Sequence, residues 1–383
     1  MAKSKEEISH LRNESADIHK IANIPSLQSL KNDSAVKRLT SFSHAGGCGS
    51  KVDPAQLELI LKGIPKKSKF PDLTVGIESA DDAAVFAFNS DESIVFTNDF
   101  HTPTVDDPYL FGRVASANAL SDVYAMGAKP FIANAIAGFP VDYMTSEDMK
   151  AIIQGSIDVC TQVGVPLAGG HTINNPQPIF GLACIGRINS SKVKRNNGGQ
   201  IGDKVILTKA IGLGVLSSAF KINLLSTDEY DIYSEAVSGI NTEGEWLGDI
   251  DEVHGLTDVT GFGLTGHLIE MAKGANNHIN VDIPTIPIIE GVYKLAEEGV
   301  IPSGAYKNAK AYDKHLEFVN DKDLDLQIIF SDPQTNGGLL ITVAPEKVDE
   351  VVERLHEFGR NEAVIIGEIV EQKNQDSYVS FIR

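Results

Sequence analysis

One stretch of the chain, "DDPYLFGRVASANALSDVYAMGAKP", predicts a helix with both ends marked. Asp107 can cap its start, Pro108 suits its first turn, and Gly127 followed by Pro130 suits its end. Apolar residues recur at helical spacing along one side of it. The segments "SIVFTNDF" before it and "PIFGLACIGRI" after it have the composition of β-strands. Strands and helices mix in this way throughout the chain, which predicts a fold of the α/β or α+β class.

The chain has 383 residues, enough for two or three domains. Residues 1–40 are polar, and we expect a mobile extension there. The polar, glycine-bearing segment "NSSKVKRNNGGQIGD" predicts a domain boundary near residue 195. We therefore expect an N-terminal domain over residues 41–195 and a C-terminal domain over residues 196–383, which opens with the strand "KVILTK" and the glycine loop "AIGLG".

The composition excludes some classes of partner. A net charge of -19 and a pI near 4.9 argue against a nucleic-acid surface and against binding to an anionic membrane. No apolar run approaches the roughly 20 residues that a membrane span needs. The three cysteines are widely separated and form neither a disulfide framework nor a CxxC metal pattern, so we expect a cytoplasmic protein.

The stretch "SHAGGCGSK" places a thiol, Cys48, three positions before an ammonium, Lys51, among three glycines. A neighbouring cation lowers the pKa of a thiol, which favours the reactive thiolate. The glycines would let the loop close over a ligand and bring backbone N–H groups near it. A mobile surface turn with an incidental thiol is the alternative interpretation. The spacing is not that of a Walker phosphate loop.

Several carboxylates lie near the ends of the predicted elements. Asp82 follows Asp81 in "SADDAAVF", Asp99 ends a strand, and Asp122 lies in the long helix on the same face as Asn118, four positions earlier. Such acids repel one another unless a cation intervenes, and their hard oxygens suit Mg²⁺ bridging the phosphates of a substrate. The alternative is a set of separately solvated acids.

Two glycine-rich segments offer further candidates. In "AGGHTINNPQPIF", Gly169 and Gly170 follow the apolar run "GVPLA" and would form a turn whose amides face a phosphate. His171 alone is more often a satisfied polar residue than a catalyst. In "GLTDVTGFGLTGHL", the acid Asp258 precedes a glycine-dense approach to a helix.

The second of these segments also matches the GxGxxG pattern of dinucleotide-binding folds. Gly261, Gly263 and Gly266 fit the pattern, and Asp282 lies roughly where a ribose-binding acid would be. An NAD-dependent oxidoreductase is therefore one candidate function. The preceding "DEVHGLTDVT" does not look like the apolar parallel strand that such a fold requires, which weakens this interpretation.

Taken together, the segments resemble the selenophosphate synthetases (selenide, water dikinases), of the superfamily that includes aminoimidazole ribonucleotide synthetase. The resemblance runs from about Leu39 to the C-terminus and rests on "SHAGGCGSKVDP", "DDAAVF", "DFHTPTVDDPYLFGRVASANALSDVYAMGAKP", "AGGHTINNPQPIFGLACIGRI", "TDVTGFGLTGHL" and "DPQTNGGLL". It implies an N-terminal α/β domain, a C-terminal α+β domain, and a homodimer whose N-terminal sheets close into a barrel.

The resemblance also implies a reaction in which ATP, selenide and water give selenophosphate, AMP and orthophosphate, with Mg²⁺ required. It assigns catalysis to Cys48 and Lys51 and metal binding to Asp82, Asp122 and Asp258. The implied ATP-binding residues are Lys51, Ser79, Ala80, Asp81, Asp99, Asp122, Gly169, Gly170 and His171. Another ATP-dependent ligase or kinase of the same superfamily, and a non-enzymatic selenium or nucleotide sensor, are the alternatives.

The sequence departs from the family pattern in three places. Ser50 stands where many relatives have a second cysteine, so a dithiol in this loop is excluded. The segment "FHTP" after Asp99 replaces larger aromatic or apolar residues. The polar extension is longer than in compact members of the family, and nothing in its sequence assigns it a role.

Overall fold

The computed structural model describes residues 38–43, 45–52, 54–62, 70–77, 81–319, 323–372 and 376–382. Most of the predicted extension over residues 1–40 lies outside these ranges, as do Ser79 and Ala80. None of the described helices is both long and apolar enough to cross a membrane.

The first half of the chain forms a six-stranded sheet. Its strands are β1 (Leu73–Val75), β2 (Ala84–Ala87), β3 (Glu92–His101), β4 (Lys129–Phe139), β5 (Leu167–Asn174) and β6 (Ile179–Asn189). They lie in the order β1-β2-β3-β6-β4-β5, and all neighbours are antiparallel except the pair of β4 and β5. The two strands expected on either side of the long helix are thus confirmed as β3 and β6.

Three helices accompany this sheet: α1 (Pro54–Leu61), α2 (Pro108–Ala125) and α3 (Ser146–Gln162). The capping expected for α2 is confirmed, because the Asp107 side chain accepts a 2.6 Å hydrogen bond from the N–H of Leu110. Gly127 follows the helix with φ 73°, a conformation that favours glycine. The helix is buried almost all round and not along one side only, because it packs against the sheet, α3 and elements of the second half.

The second half forms a seven-stranded mixed sheet. Its strands are β7 (Lys204–Leu207), β8 (Val253–Asp258), β9 (His278–Asp282), β10 (Leu316–Phe318), β11 (Leu339–Val343), β12 (Val364–Val370) and β13 (Val379–Ile382). The order is β10-β13-β9-β12-β7-β11-β8. Strand β13 pairs in parallel with β10 and with β9, and the other neighbouring pairs of these strands are antiparallel.

The helices of this half are α4 (Leu213–Lys221), α5 (Thr227–Ser238), α6 (Glu243–Gly248), α7 (Gly263–Ala275), α8 (Val292–Glu297), α9 (Ser303–Tyr312), α10 (Leu324–Phe330) and α11 (Val348–Glu357). The expected combination of α/β and α+β architecture is present. One apolar core runs through both halves, from Phe111 and Phe180 to Val205 and Phe381. Within the described residues both sheets are open, and a barrel shared with a second copy stays a prediction.

The expectation that the segment before the GxGxxG match is not an apolar parallel strand is confirmed. The stretch "DEVHGLTDVT" does contain a strand, β8, despite its histidine and its acids. This strand lies at the sheet edge and pairs antiparallel with β11. A dinucleotide-binding fold places its glycine loop after a strand of a parallel sheet. The topology therefore removes the structural basis for a nicotinamide site at Gly261, Gly263 and Gly266.

Candidate active site between the two sheets

Three acids from distant parts of the chain converge where the two halves meet. Asp82 lies just before β2, Asp122 is in the last turn of α2, and Asp258 is the final residue of β8. One carboxylate oxygen from each lies within 4.8 Å of the others. Three carboxylates at this separation repel one another strongly when all are ionised.

Each of these acids is oriented by a hydroxyl group. Thr257 donates to Asp82 Oδ1 at 3.0 Å, Thr97 to Asp122 Oδ2 at 2.6 Å, and Ser121 to Asp258 Oδ2 at 2.5 Å. The second oxygens of two of the acids, Asp82 Oδ2 and Asp258 Oδ1, are buried and have no partner among the described residues. Buried carboxylate oxygens are nearly always paired, so this donor set fits a hard divalent cation.

The pKa values of the three acids also indicate a site for a cation. Burial, and then repulsion from Asp258 and Asp122, raise the pKa of Asp82 well above its ordinary value. The pKa of Asp122 is raised by burial and by Asp258 and Asp99, and burial also raises that of Asp258. A bound cation would reverse these shifts, because it favours the ionised carboxylates.

Lys51 and Asp99 face each other beside this cluster. The Nζ of Lys51 lies 4.0 Å from Asp99 Oδ2, and the lysine side chain is 41% exposed. Partial burial lowers the pKa of Lys51, but the negative charge of Asp99 and other nearby groups outweighs this and raises it above its ordinary value. A Cβ on Gly261 would lie 2.7 Å from Lys51 Cδ, so this glycine makes room for the lysine.

Cys48 is buried, with 1% of its surface exposed. Its backbone N–H donates to Thr335 Oγ1 at 3.0 Å, and its Sγ lies 3.5 Å from Asn118 Oδ1. Burial, together with nearby carboxylates, raises the pKa of Cys48 to about 12 despite the opposing effect of Lys51. Lys51 acts in the expected direction, but burial and the acids outweigh this one cation, so the prediction of a lowered Cys48 pKa is wrong for the structure described.

Gly47 lies so close to the second half of the chain that a larger residue would not fit there. Gly47 has φ 55°, and a Cβ at this position would lie 2.1 Å from Thr335 Oγ1. Only glycine fits both the backbone conformation and the contact. The loop therefore packs against the segment "DPQTNGGLL", and no sequence pattern predicted this contact.

Asn118 links several parts of the candidate site, although the sequence pattern indicated only that it shares a face of α2 with Asp122. Its Nδ2 donates to Asp99 Oδ2 at 2.7 Å, and its Oδ1 accepts from the Asn336 N–H at 2.7 Å as well as from the Cys48 thiol. It is 1% exposed. The signal that could have found it was its position four residues before Asp122, which places both on one face of α2.

Other candidate residues lie apart from the acids. Gly169, Gly170 and His171 belong to the interior of β5, so the expected glycine turn after a strand is wrong. They are exposed, and β5 is separated from β3 by β6 and β4. Three strand spacings correspond to about 14 Å. Within one chain, this segment does not join the Lys51–Asp99 region.

Asp81 binds the segment that connects the two halves of the chain. Its Oδ2 lies 3.2 Å from Arg195 Nη2, and its Oδ1 accepts a 2.9 Å hydrogen bond from the N–H of Asn196. Ser79 and Ala80, the other expected nucleotide-binding residues of this stretch, lie outside the described residues.

Ser50 and His101 are two positions at which the sequence departs from the family pattern, and the structure shows the contacts of both. Ser50 is exposed, and its hydroxyl donates to the Gly47 carbonyl oxygen at 2.7 Å. His101 is 3% exposed and packs edge-on against Phe111, with ring centroids 5.7 Å apart. Its Nδ1 lies 2.8 Å from the Thr102 carbonyl oxygen. The histidine therefore fills an aromatic position in the core.

The fold and the site define a class of protein. Residues 80–188 match the family of the AIR synthase related protein, N-terminal domain, and residues 200–380 match the corresponding C-terminal domain. Among solved structures, thiamine-monophosphate kinase from Stenotrophomonas maltophilia K279a is similar, with a TM-score of 0.59 at 20% identity over 81% of this chain and 92% of that one. Hydrogenase maturation protein HypE in complex with ATP gives 0.58 at 17% identity over 79% and 82%. These likenesses concern the fold alone.

Two relatives narrow the class. Selenide, water dikinase of Burkholderia ambifaria (strain MC40-6) is 44% identical over 337 residues, 88% of this chain and 95% of the relative. Selenide, water dikinase of Paraburkholderia xenovorans (strain LB400) is 45% identical over 333 residues, 87% and 94% of the two chains. The chain belongs to the selenide, water dikinase family, and the family resemblance seen in its sequence is confirmed.

Proposed function

We propose that the protein synthesises selenophosphate from ATP, selenide and water, with release of AMP and orthophosphate. The observation that carries this proposal is the convergence of Asp82, Asp122 and Asp258 beside Lys51 and Cys48. Relatives that are 44–45% identical over nearly the whole chain support the same reaction. Neither a different ligase or kinase of the superfamily nor a nicotinamide-dependent enzyme is favoured.

Asp82, Asp122 and Asp258 would hold Mg²⁺ at this site. When bound, the ion would neutralise part of the charge on the phosphate oxygens of ATP. The hydroxyls of Thr257, Thr97 and Ser121 keep one oxygen of each acid engaged and leave the other side of the cluster to the ion.

Lys51 supplies the second positive charge. Its ammonium is partly exposed and has Asp99 as its nearest acid, 4.0 Å away. This distance is too long for a short ion pair, so the ammonium can donate to a phosphate oxygen while Asp99 keeps it charged. We propose that Lys51, Asp81, Asp99 and Asp122, with Ser79 and Ala80, form the nucleotide side of the site.

Cys48 provides a neutral thiol on the opposite side of Asn118 from Asp99. In the buried conformation its raised pKa keeps it protonated, so it adds no negative charge beside three acids. Because its loop is glycine-rich, we propose that it opens to admit selenide and ATP and closes to exclude water from the phosphoryl transfer. Cys48 then marks the position where the selenium donor arrives.

We further propose that the protein is a homodimer. The sheet face opposite α2 exposes four aromatic rings, Phe86, Phe96, Phe100 and Phe131, each 40–49% exposed. Contiguous apolar patches of this kind mark interaction surfaces. A second copy packed there, with the sheets closing into a barrel, would bring another β5 near the open edge of the first sheet. The segment from Gly169 to His171 would then contribute to ATP binding across the interface.

A cytoplasmic location agrees with this proposal. The described cysteines Cys48, Cys160 and Cys184 are all free and buried, and a reducing compartment keeps both thiols and selenide reduced.

The direct test is product analysis by ³¹P NMR with purified protein, ATP, Mg²⁺ and selenide under anaerobic conditions. We expect a phosphorus–selenium product together with AMP and orthophosphate in equal amounts. Cys48→Ser and Lys51→Ala should each abolish this product, because they remove the thiol and the ammonium that lie beside the three acids. Formation of ADP alone, or turnover that is independent of both residues, would reject selenophosphate synthesis.

A further inference from the structure

Asp258 is held by a chain of hydrogen bonds that begins at Asn241. Asn241 Nδ2 donates to Ser121 Oγ at 2.9 Å, and Ser121 Oγ donates to Asp258 Oδ2 at 2.5 Å. The same amide nitrogen also donates to the carbonyl oxygen of Gly337, at 2.8 Å. Asn241 and Ser121 are fully buried, so water does not compete for these hydrogen bonds.

The direction of every hydrogen in this chain is determined by the groups present. The Gly337 carbonyl oxygen can only accept, so the nitrogen of the Asn241 amide, and not its oxygen, must face it. That nitrogen also faces Ser121 Oγ, which therefore accepts on that side. A serine hydroxyl has a single hydrogen, and here it goes to Asp258 Oδ2. Oδ1 of Asp258 is left without a partner among the described residues.

This arrangement leaves one polar atom of Asn241 without a hydrogen bond. Its Oδ1 is buried and has no hydrogen-bond partner in the part of the chain that the structure describes. Unpaired buried polar atoms are rare and need an explanation. The amide orientation satisfies Gly337 and Ser121 at the expense of its own oxygen, which is understandable if the direction of the Ser121 hydroxyl matters.

We propose that Asn241 is a positioning residue for the metal site. It acts through Ser121: by fixing the direction of that hydroxyl, it decides which oxygen of Asp258 is engaged by protein and which faces the cation. The inference rests on the metal site of the proposed function. Outer hydrogen-bond partners of metal ligands typically change metal affinity by about 10–100-fold when they are removed.

The test uses Mn²⁺ alone as a probe, titrated into full-length protein and followed by electron paramagnetic resonance, with thermal unfolding measured in parallel. We expect Asn241→Ala to weaken the Kd for Mn²⁺ by about 10-fold or more. Asn241→Leu, similar in size but without a hydrogen-bond donor, should do the same. If Asn241→Ala does not fold, Asn241→Leu serves in its place.

A double-variant comparison separates positioning from general stability. In a Ser121→Ala background, replacing Asn241 should add little further loss of affinity, because the two residues act as one unit. The matched control is Asn308→Ala, a buried asparagine that donates to the carbonyls of Gly261 and Ser331 at 2.9 and 3.1 Å. It should lower the Tm and leave the Mn²⁺ affinity unchanged.

The outcomes are distinguishable. Unchanged Mn²⁺ affinity in folded Asn241 variants, or fully additive losses in the double variant, would overturn the role of Asn241 while leaving the metal site intact. Failure of the wild-type protein to bind Mn²⁺, or binding that survives Asp258→Asn, would overturn the metal site and this inference together.

Discussion

Cys48 Sγ lies 3.5 Å from Asn118 Oδ1, which ties the thiol of the glycine loop to the helix that carries Asp122. The same oxygen accepts from the Asn336 N–H, and the amide nitrogen of Asn118 donates to Asp99. One buried side chain therefore connects the thiol, Asp99 and the second half of the chain.

This connection makes Asn118 sensitive to substitution. We expect Asn118→Asp to reduce AMP formation by about 100-fold or more, because it puts a carboxylate in direct contact with Asp99 and removes a donor. Asn118→Ala should lower the free energy of unfolding by about 1–3 kcal/mol, since the buried Asn336 N–H loses its partner. Asn189→Ala, an exposed asparagine at the end of β6, is the control. Near-normal kinetics of Asn118→Asp would contradict the account.

AMP formation should require the positive charge of Lys51 at its position in the site. We expect Lys51→Ala to lower kcat/KM for ATP by about 100-fold or more, because a preorganised cation facing the transferred phosphoryl group is lost. Lys129→Ala removes an exposed lysine, paired with Glu245 at 2.7 Å, and should have no such effect. Steady-state AMP formation measures both variants, and equal kinetics for the two would exclude a phosphate contact by Lys51.

The repulsion among the three acids predicts opposite effects on stability and metal binding. In EDTA, we expect Asp82→Asn to raise the free energy of unfolding by about 1 kcal/mol, because one of three mutually repelling carboxylates is removed. With Mg²⁺ the variant should gain less stability than the wild-type protein, since it has lost a ligand. Urea unfolding with and without Mg²⁺ measures both effects. A variant that is destabilised in EDTA and still fully stabilised by Mg²⁺ would show that the acids do not act together.

Lys209 should make the free energy of unfolding depend on pH. Burial, with a smaller contribution from the charge of Arg360, lowers the pKa of Lys209 to about 7. In the unfolded chain the same group titrates near pH 10.4, so between these values unfolding takes up a proton and stability rises with pH. Relative to Lys209→Met, the wild-type protein should therefore gain stability from pH 7 to pH 9.5, by at most about 1.4 kcal/mol per pH unit.

Urea unfolding of both proteins across this pH range tests the prediction for Lys209. Its Nζ donates to the carbonyls of Gly239 and Asn336 at 2.9 and 3.0 Å, and these contacts do not require the charged form. A stability difference between the two proteins that is constant, or that falls as the pH rises, would show that Lys209 remains charged in the fold.

The aromatic sheet face predicts the oligomeric state. Phe96 is 43% exposed on the face opposite α2, and we expect Phe96→Glu to convert a dimer to monomers in sedimentation velocity, because a charge cannot be buried unpaired at an interface. Ile201→Glu, at a 63% exposed position in the second half of the chain, should leave the dimer intact. A wild-type protein that sediments as a monomer at all concentrations would rule out the proposed interface.

Local signals in the sequence predicted the elements that they encode directly. The start of α2 followed from Asp107 and Pro108, and its end from Gly127, because capping depends on the residues at the helix ends themselves. The acids of the site were recognisable as residue types near predicted strands, loops and the long helix, and from the family resemblance. Their convergence depends on how β8 and α2 pack, which no local pattern contains.

The predictions that were wrong, and the hydrogen bond that the sequence did not indicate, all depend on tertiary contacts. The pKa of Cys48 was expected to fall because its nearest sequence neighbour with a charge is Lys51, whereas burial and three distant acids decide it. Asn241 lies 120 positions from Ser121 in the chain, so nothing in either segment pointed to their hydrogen bond. Gly169 to Gly170 resembled a turn, but pairing with β4 extends them into a strand.

The most direct test of the central claim is the ³¹P hyperfine coupling between Mn²⁺ and a non-hydrolysable ATP analogue bound to the protein. The account predicts a coupling that places the ion next to a phosphate in the wild-type protein and that is lost in both Asp82→Asn and Asp258→Asn. A coupling that persists unchanged in these variants, or Mn²⁺ that binds without any phosphorus nearby, would contradict the account.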